Sequence, residues 1–211
     1  MRTLLSIGFI FFALTFCGLG ERLKGLTGSP ASNSNTAGSS ASSSTSTTTV
    51  EQPKLTAGQQ AIQDGGTVVN WDDQGIGWTL PKSWKKMDVK KEQFLYTSPD
   101  NASLIGTISV MPDNFPMSTS LDAYYDQAVQ LLKQGKYESV KMLEIDRVKG
   151  VEFKEVMPED KDGPRRHQWI GYRNYLGQQQ QVNIMLATKG TNFEKHRDDF
   201  PAILYSMKFV D

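Results

Sequence analysis

The stretch from Thr27 to Val50 reads TGSPASNSNTAGSSASSSTSTTTV and carries neither a charge nor an aromatic ring. Ser and Thr make up 15 of its 24 residues. A segment so poor in apolar groups cannot bury enough surface to offset the entropy of ordering it, so it reads as a flexible spacer. A glycosylated stalk is the alternative reading. Either way, a folded core has to be drawn from the chain after it. The composition agrees: all four tryptophans, Trp71, Trp78, Trp84 and Trp169, lie beyond the spacer. The 141 residues from Trp71 to Asp211 are enough for one core. We therefore divide the chain into an export or anchor segment (1–20), a linker (21–66) and a folded domain (67–211). Within the linker, Gln52–Gly66 is transitional, a loose helix ending at Gly65-Gly66. As a random coil of about 44 residues the linker reaches roughly 35 Å.

The first residues, MRTLLSIGFIFFALTFC, place Arg2 ahead of an apolar run from Leu4 to Phe16. That is the layout of a secretory signal peptide. Extended to Leu19 the run spans about 24 Å at roughly 1.5 Å per residue, short of a hydrocarbon core of about 30 Å. Its length favours export over a spanning helix. Leu14-Thr15-Phe16-Cys17 resembles the lipobox of bacterial lipoproteins, which implies that Cys17 is acylated and becomes the first residue of the mature protein. Phe16 departs from that pattern, which has a small residue before the cut. The alternative is that Cys17 sits in the tail of an ordinary signal or anchor.

Basic and acidic residues balance at 23 each. Beyond residue 50 they number 20 and 22, so no global field is present to hold nucleic acid or an anionic membrane. A single cysteine rules out an intrachain disulfide.

The domain mixes periods of two and 3.6. Leu104, Gly106, Ile108 and Val110 alternate as on a half-buried strand that ends at Pro112. Leu143 and Ile145 belong to a second strand, and Val151, Phe153 and Met157 share a face of a third. Gly150 between these two predicts a hairpin. RRHQWIGYRNYL and QQVNIMLAT flank Gly177 and predict another. Val182 to Ala187 is nearly all apolar, as in a central strand covered on both faces. Thr119 and Asp122 have capping-box spacing ahead of a helix carrying Leu121, Tyr124, Tyr125, Ala128, Leu131 and Leu132, with Gly135 as its stop. Thr191 and Glu194 form a second such box ahead of Phe193 and Phe200, in a helix broken or restarted by Pro201. YSMKFV closes the chain as a strand. This order predicts an α+β fold, a mainly antiparallel sheet flanked by helices.

GWTLPKSW (Gly77–Trp84), the late helix, the paired strands and FPAILYSMKF at the end together resemble the PsbP-like superfamily. Its members include the photosystem II extrinsic subunit, Ran-binding eukaryotic relatives and many bacterial envelope lipoproteins. The resemblance covers Gly77 to Val210. It implies an α-β-α sandwich and a binding or accessory role without a shared catalytic centre. Nothing in this chain points to photosystem or Ran binding, and fold alone does not carry function.

Catalytic and metal-binding signatures are missing from the sequence. His167 and His196 have no second His or Cys at ligand spacing, and read as ordinary surface or half-buried histidines. PEDKDGP (Pro158–Pro164) lacks the distal Glu of a calcium loop and reads as a solvated turn. No GxSxG, phosphate loop or dinucleotide fingerprint occurs. Asn101-Ala102-Ser103 fits a glycosylation acceptor, unused in a bacterial setting. Glu155 breaks the apolar pattern of its strand. It reads as a residue reaching water at a frayed strand end, as one half of an internal pair with Arg173, or as the polar floor of a ligand cleft. Arg165, Arg166, His167 and Arg173, interleaved with Trp169, Tyr172 and Tyr175, form a candidate basic aromatic surface, although alternation divides them between two faces. The possible ligand or partner surface is thus Glu155, Arg165, Arg166, Trp169 and Arg173. The expectation is a non-catalytic envelope protein, membrane-anchored or periplasmic, without cofactor or metal, presenting its domain to another envelope protein. A small-ligand carrier or sensor is the alternative, and an enzyme ranks last because no set of acid, base and nucleophile assembles.

Overall fold

The computed structural model describes residues 49–210. Cys17, the export segment and most of the spacer lie outside them. In chain order the first elements are β1 (Val50–Glu51), α1 (Ala57–Asp64), β2 (Thr67–Trp71), β3 (Ile76–Leu80), β4 (Lys85–Val89), β5 (Gln93–Thr97) and β6 (Ser103–Val110). There follow α2 (Met117–Lys133), β7 (Tyr137–Ile145), β8 (Val148–Glu155), β9 (Pro164–Tyr175) and β10 (Gln178–Lys189). The chain closes with α3 (Gly190–Phe193), α4 (Asp199–Tyr205) and β11 (Lys208–Phe209). Eight strands make one sheet in the order β1-β7-β8-β9-β10-β6-β5-β4, and three make a second, β11-β3-β2. Every pairing is antiparallel except β1 with β7. The fold is α+β, as the sequence implies.

The two faces of the large sheet are covered differently. On one, Leu143, Trp169, Ile184, Leu104 and Phe94 pack with the small sheet (Trp71, Trp78) and with Phe200, Ile203 and Leu204 of α4 in the main core. On the other, α2 lies over β7, β8 and β9, burying Leu121 and Ala128 against Met142, Val151, Phe153 and Ile170. Among the described residues no helix is packed over β10 on that second face. Val182, Ile184 and Leu186 are fully buried, while Asn183, Met185 and Ala187 are half-buried. The strand is central, as its apolar run suggests, but only one of its faces is fully covered.

Glycine sets the closest approach in the core. The Trp169 ring lies over Gly150 and Gly171, which pair across β8 and β9. A Cβ at Gly171 would fall 2.5 Å from the ring and 2.8 Å from the Lys149 carbonyl oxygen. Gly150 is therefore a mid-strand residue. The hairpin it was expected to make turns instead at Asp146 and Arg147, with φ of 43° and 74°. Asp tolerates the left-handed region because its short side chain can bond to nearby backbone. Here that carboxylate is turned to β11, accepting from the Phe209 N–H at 2.7 Å. The second hairpin turns at Leu176-Gly177 as expected, with both φ positive. Met157 lies beyond β8 and is exposed, so it shares no face with Val151 and Phe153.

Three helix starts differ from expectation. α2 begins at Met117 with Pro116 at its N-cap, and Thr119 makes no cap. Its end follows the sequence: Gly135 at φ 69° follows the last turn, with Gly135 N–H bonded to Leu132 and Lys136 N–H to Leu131, the Schellman arrangement. Thr191 caps nothing and bonds to Asp162. Glu194 instead takes Arg165 and Arg197. Pro201 does not break α4, because it is the third helical residue, where an N–H would have no intrahelical acceptor. The capping box that does form is Thr56 with Gln59, at the start of α1. With β1 paired to β7, α1 brings two elements of the fold into the stretch read as linker.

Gly171→Ala should lower stability by about 1–3 kcal/mol through overpacking against Trp169. Urea unfolding checks this as a lower midpoint at unchanged m-value.

Candidate functional site

Strand alternation puts Val151 and Phe153 under α2 and turns Glu152 and Lys154 to the opposite face. There Glu152 pairs with Trp169, and Lys154 with His167. The main core ends along this line. At the sheet edge the cover changes from the apolar body of α4 to its polar ends, and a cleft of about 380 Å³ opens. Its floor comes from β7, β8 and β9 (Ser139, Lys141, Glu152, Lys154, His167). One wall is the turn before α4, with Arg197 and Asp198, together with Pro201 and Tyr205 of α4 itself. The other wall is the entry segment, with Lys54, Thr56 and Gln59. Gln59 holds the two walls together by donating to Asp198 Oδ1 at 2.9 Å.

Glu152 is 4% exposed. Its Oε1 faces His167 Nε2 at 2.7 Å, and Tyr205 Oη stands 3.1 Å from both carboxylate oxygens. Burial pushes the Glu152 carboxyl up, but the hydrogen bonds from His167 and Tyr205 and the charge of Lys141 more than offset this and leave it below the ordinary value. His167 is pushed down by burial, which outweighs the opposing pull of Glu152. The ring is thus neutral near pH 7 and donates from Nε2. Tyr205 is pushed up by burial and then by the Glu152 charge. The floor of the cleft is therefore an ionised carboxylate held by two neutral donors.

A second network lies beside it. Arg165 is buried and donates to Glu138 at 2.6 Å, Glu194 at 3.0 Å and the Glu155 carbonyl at 2.9 Å, with Phe193 under its guanidinium. Arg197 bridges the same two carboxylates. His196, also buried, sits with Nδ1 2.8 Å from Asp199 and Nε2 2.8 Å from Asp100. The hydrogen bond to Asp199, and then the charges and the bond to Asp100, raise its pKa against the effect of burial. Asp100 is in turn held at about 2, first by the Ser98 hydroxyl. Among the described residues no cluster of His, Cys, Asp and Glu could hold a metal ion.

No protein-family model matches the chain, and no curated protein does. Solved structures resemble it. LpqN, involved in cell envelope biogenesis of Mycobacterium tuberculosis, is 12% identical over 75% of this chain and 99% of its own, with a TM-score of 0.50. Cyanobacterial PsbP of Synechocystis is 15% identical over 69% of this chain and 94% of its own, with a TM-score of 0.43. The domain shares its α+β fold with LpqN. A Bacteroides thetaiotaomicron structure is 12% identical over 71% of this chain, which spans only 49% of that protein, with a TM-score of 0.40. At these identities the likeness is one of fold.

Of the residues singled out from sequence, the domain brings few together. Arg165, Trp169 and Arg173 face the main core and are buried, while Arg166 faces the other way and is exposed. Glu155 is bonded through its carboxylate to the Arg166 side chain and N–H, so its ion-pair partner is Arg166 rather than Arg173. Among the described residues Arg173 reaches no carboxylate. It donates to the Gln74 carbonyl at 2.5 Å and to Gln180, stacks on Tyr175, and is pushed down to about 10 by burial. Both histidines are buried rather than superficial. The polar floor proposed at Glu155 is realised three residues earlier, at Glu152. In the segment VEFKE, Glu152 alternates with Val151 and Phe153 and so reads as solvent-facing. Its burial depends on α4, which comes from more than forty residues away in the chain.

The two histidines should act on stability in opposite directions. The raised pKa of His196 contributes stability below its ordinary value of 6.5 that is lost as pH rises through the folded value. The depressed pKa of His167 contributes stability above 6.5 that is lost as pH falls through the folded value. We expect His196→Gln to remove the alkaline loss and His167→Gln the acidic one. Urea unfolding between about pH 5 and pH 8 separates them. Wild-type pH profiles in both variants would contradict these assignments.

Proposed function

We propose that this protein is a non-catalytic binding protein of the cell envelope, tethered to a membrane through an acylated Cys17 and a Ser/Thr-rich leash. Its PsbP-like domain takes a small ligand in the cleft between the sheet and α4. The observation that carries the binding reading is the ionised Glu152, buried with His167 and Tyr205 at the floor of a solvent-open cleft. A buried charge is costly to a fold, and such groups concentrate at functional sites. The volume lies in the range of small-molecule sites.

The same geometry argues against catalysis. Both proton-bearing groups of the floor, His167 and Tyr205, donate to Glu152, and their pKa values are pushed in opposite directions away from neutrality. General acid–base work needs a group poised near the operating pH. Of the two occupants that the sequence leaves open, another envelope protein or a small ligand, the concavity and volume of the cleft favour the ligand. The envelope setting is supported by the apolar leader ahead of Cys17 and by the fold shared with LpqN, which is involved in cell envelope biogenesis.

Two measurements test this reading. Cys17→Ser should shift the full-length protein from the membrane pellet to the soluble fraction, because stable anchoring takes more than one acyl chain. Retention at wild-type levels would overturn the lipid anchor. Native mass spectrometry of the full-length protein should show a co-purified small molecule that is lost on Ser139→Trp, which fills the cleft.

A further inference from the structure

The cleft lining has two features that the binding reading does not use. The first is how few of its lining side chains are aliphatic or aromatic. Among its twelve lining residues Pro201 is the only aliphatic one, and Tyr205 the only aromatic residue apart from His167. The second is the charge arrangement. Lys54, Lys141, Lys154 and Arg197 line the cleft against two carboxylates, Glu152 and Asp198. Lys141, Lys154 and Arg197 are paired from outside the lining, by Glu51 at 3.4 Å and by Glu138 at 4.0 and 3.1 Å. Among the described residues Lys54 makes no ion pair. Asp198 already accepts from Gln59, and Glu152 from His167 and Tyr205.

These features separate the lining into two zones. The floor presents acceptors: Glu152 Oε2 accepts only from Tyr205 and has a further lone pair to offer. The cations end at the rim, Lys54 on the entry segment and Lys141 rising from its floor strand to Glu51, and of these Lys54 has its charge uncommitted among the described residues. A ligand matching both carries hydrogen-bond donors at one end and negative charge at the other. Resting on the reading of the cleft as a ligand site, we propose that its ligand is a compact polyhydroxy anion. Its hydroxyls donate to Glu152 on the floor, and its carboxylate or phosphate lies against Lys54 and Lys141 at the rim. Charge-assisted hydrogen bonds of this kind are the stronger ones in protein sites, so the rim lysines set selectivity for the anion and the floor sets it for the polyol.

The test uses the full-length protein and four ligands on one carbon skeleton: gluconate, sorbitol 6-phosphate, neutral sorbitol and cationic glucamine. Binding is read by calorimetry in low salt, where rim charges are least screened. We expect saturable binding of gluconate or of sorbitol 6-phosphate, and their relative affinity identifies the anionic group. Lys54→Ala should weaken this binding by about tenfold, equivalent to about 1.4 kcal/mol, and Ser139→Trp should abolish it. Lys54 is exposed and outside every secondary-structure element, so its variant should keep the wild-type melting temperature. If sorbitol or glucamine binds as well as the anions and Ser139→Trp blocks it, the cleft is a ligand site but the ligand class is wrong. If no member of the series binds in a manner that Ser139→Trp blocks while a co-purified molecule is lost on that substitution, the class again fails and the site stands. If neither is affected by Ser139→Trp, both readings fall.

Discussion

Glu152 is buried where three elements converge: its own strand β8, strand β9 through His167, and helix α4 through Tyr205. A carboxylate cannot enter a protein interior unpaired without a large desolvation penalty. The contacts that hold it therefore fix more than one residue. They set the distance of α4 from the sheet, and with it the closure of the main core around Phe200, Ile203 and Leu204. They also mark where that core stops. On the inner side of Glu152 its cross-strand neighbour is Trp169, and on the outer side the rows continue as Lys154, Ser139 and Lys141. The cleft is the direct consequence of a sheet that runs on past the apolar part of its helical cover.

The sheet tolerates this because Trp169 makes the neighbouring core exceptionally close. Its indole occupies the space that side chains at Gly150 and Gly171 would take, and its N–H points to the Leu143 carbonyl at 3.4 Å. Three strands are thereby tied beneath one ring, β7 by the hydrogen bond and β8 and β9 by close contact. A tightly packed patch beside a buried charge holds the floor of the cleft rigid, so Glu152, His167 and Tyr205 keep their geometry without help from a ligand.

The sequence carried the order of elements well and the positions of their partners poorly. Alternation around Leu104 and the apolar run at Val182 mark strands because their own side chains report it. The Leu176-Gly177 turn and the Gly135 stop are legible for the same local reason, a positive φ that glycine supplies freely. Gly150 misled because glycine also serves close approach, and nothing near it reveals that Trp169, nineteen residues on, will sit above it. Glu152 escapes notice because it alternates with Val151 and Phe153, as a surface residue does, and His167, between Arg166 and Gln168, reads as a surface or half-buried histidine. Only knowledge that both faces of β8 and β9 are covered would have marked them. The basic aromatic cluster around Arg165 to Tyr175 was legible as a group. Its burial was not, because Arg165 finds carboxylates on β7 and α3's continuation, while Arg173 finds carbonyl and amide oxygens and two aromatic faces.

The entry of the chain into the domain adds a last connection. β1 is held to β7 by two residue pairs, a Glu51–Lys141 ion pair at 3.4 Å and a Gln52–Glu144 hydrogen bond at 3.2 Å. Directly after it come Lys54, Thr56 and Gln59, which form one wall of the cleft, and then α1, packed on α4. The segment that joins residue 49 to the fold is thus also part of the proposed site, and Lys141 is shared between the β1 ion pair and the cleft. Two exposed polar contacts and a two-residue strand are a weak hold, since exposed ion pairs are worth about 0–1 kcal/mol. A ligand that draws on Lys54 and Lys141 binds the docked form of this segment more tightly than an undocked one, and by linkage it must stabilise that docking. In a tethered protein the place where the leash meets the domain and the place where ligand is held would then be one thermodynamic unit.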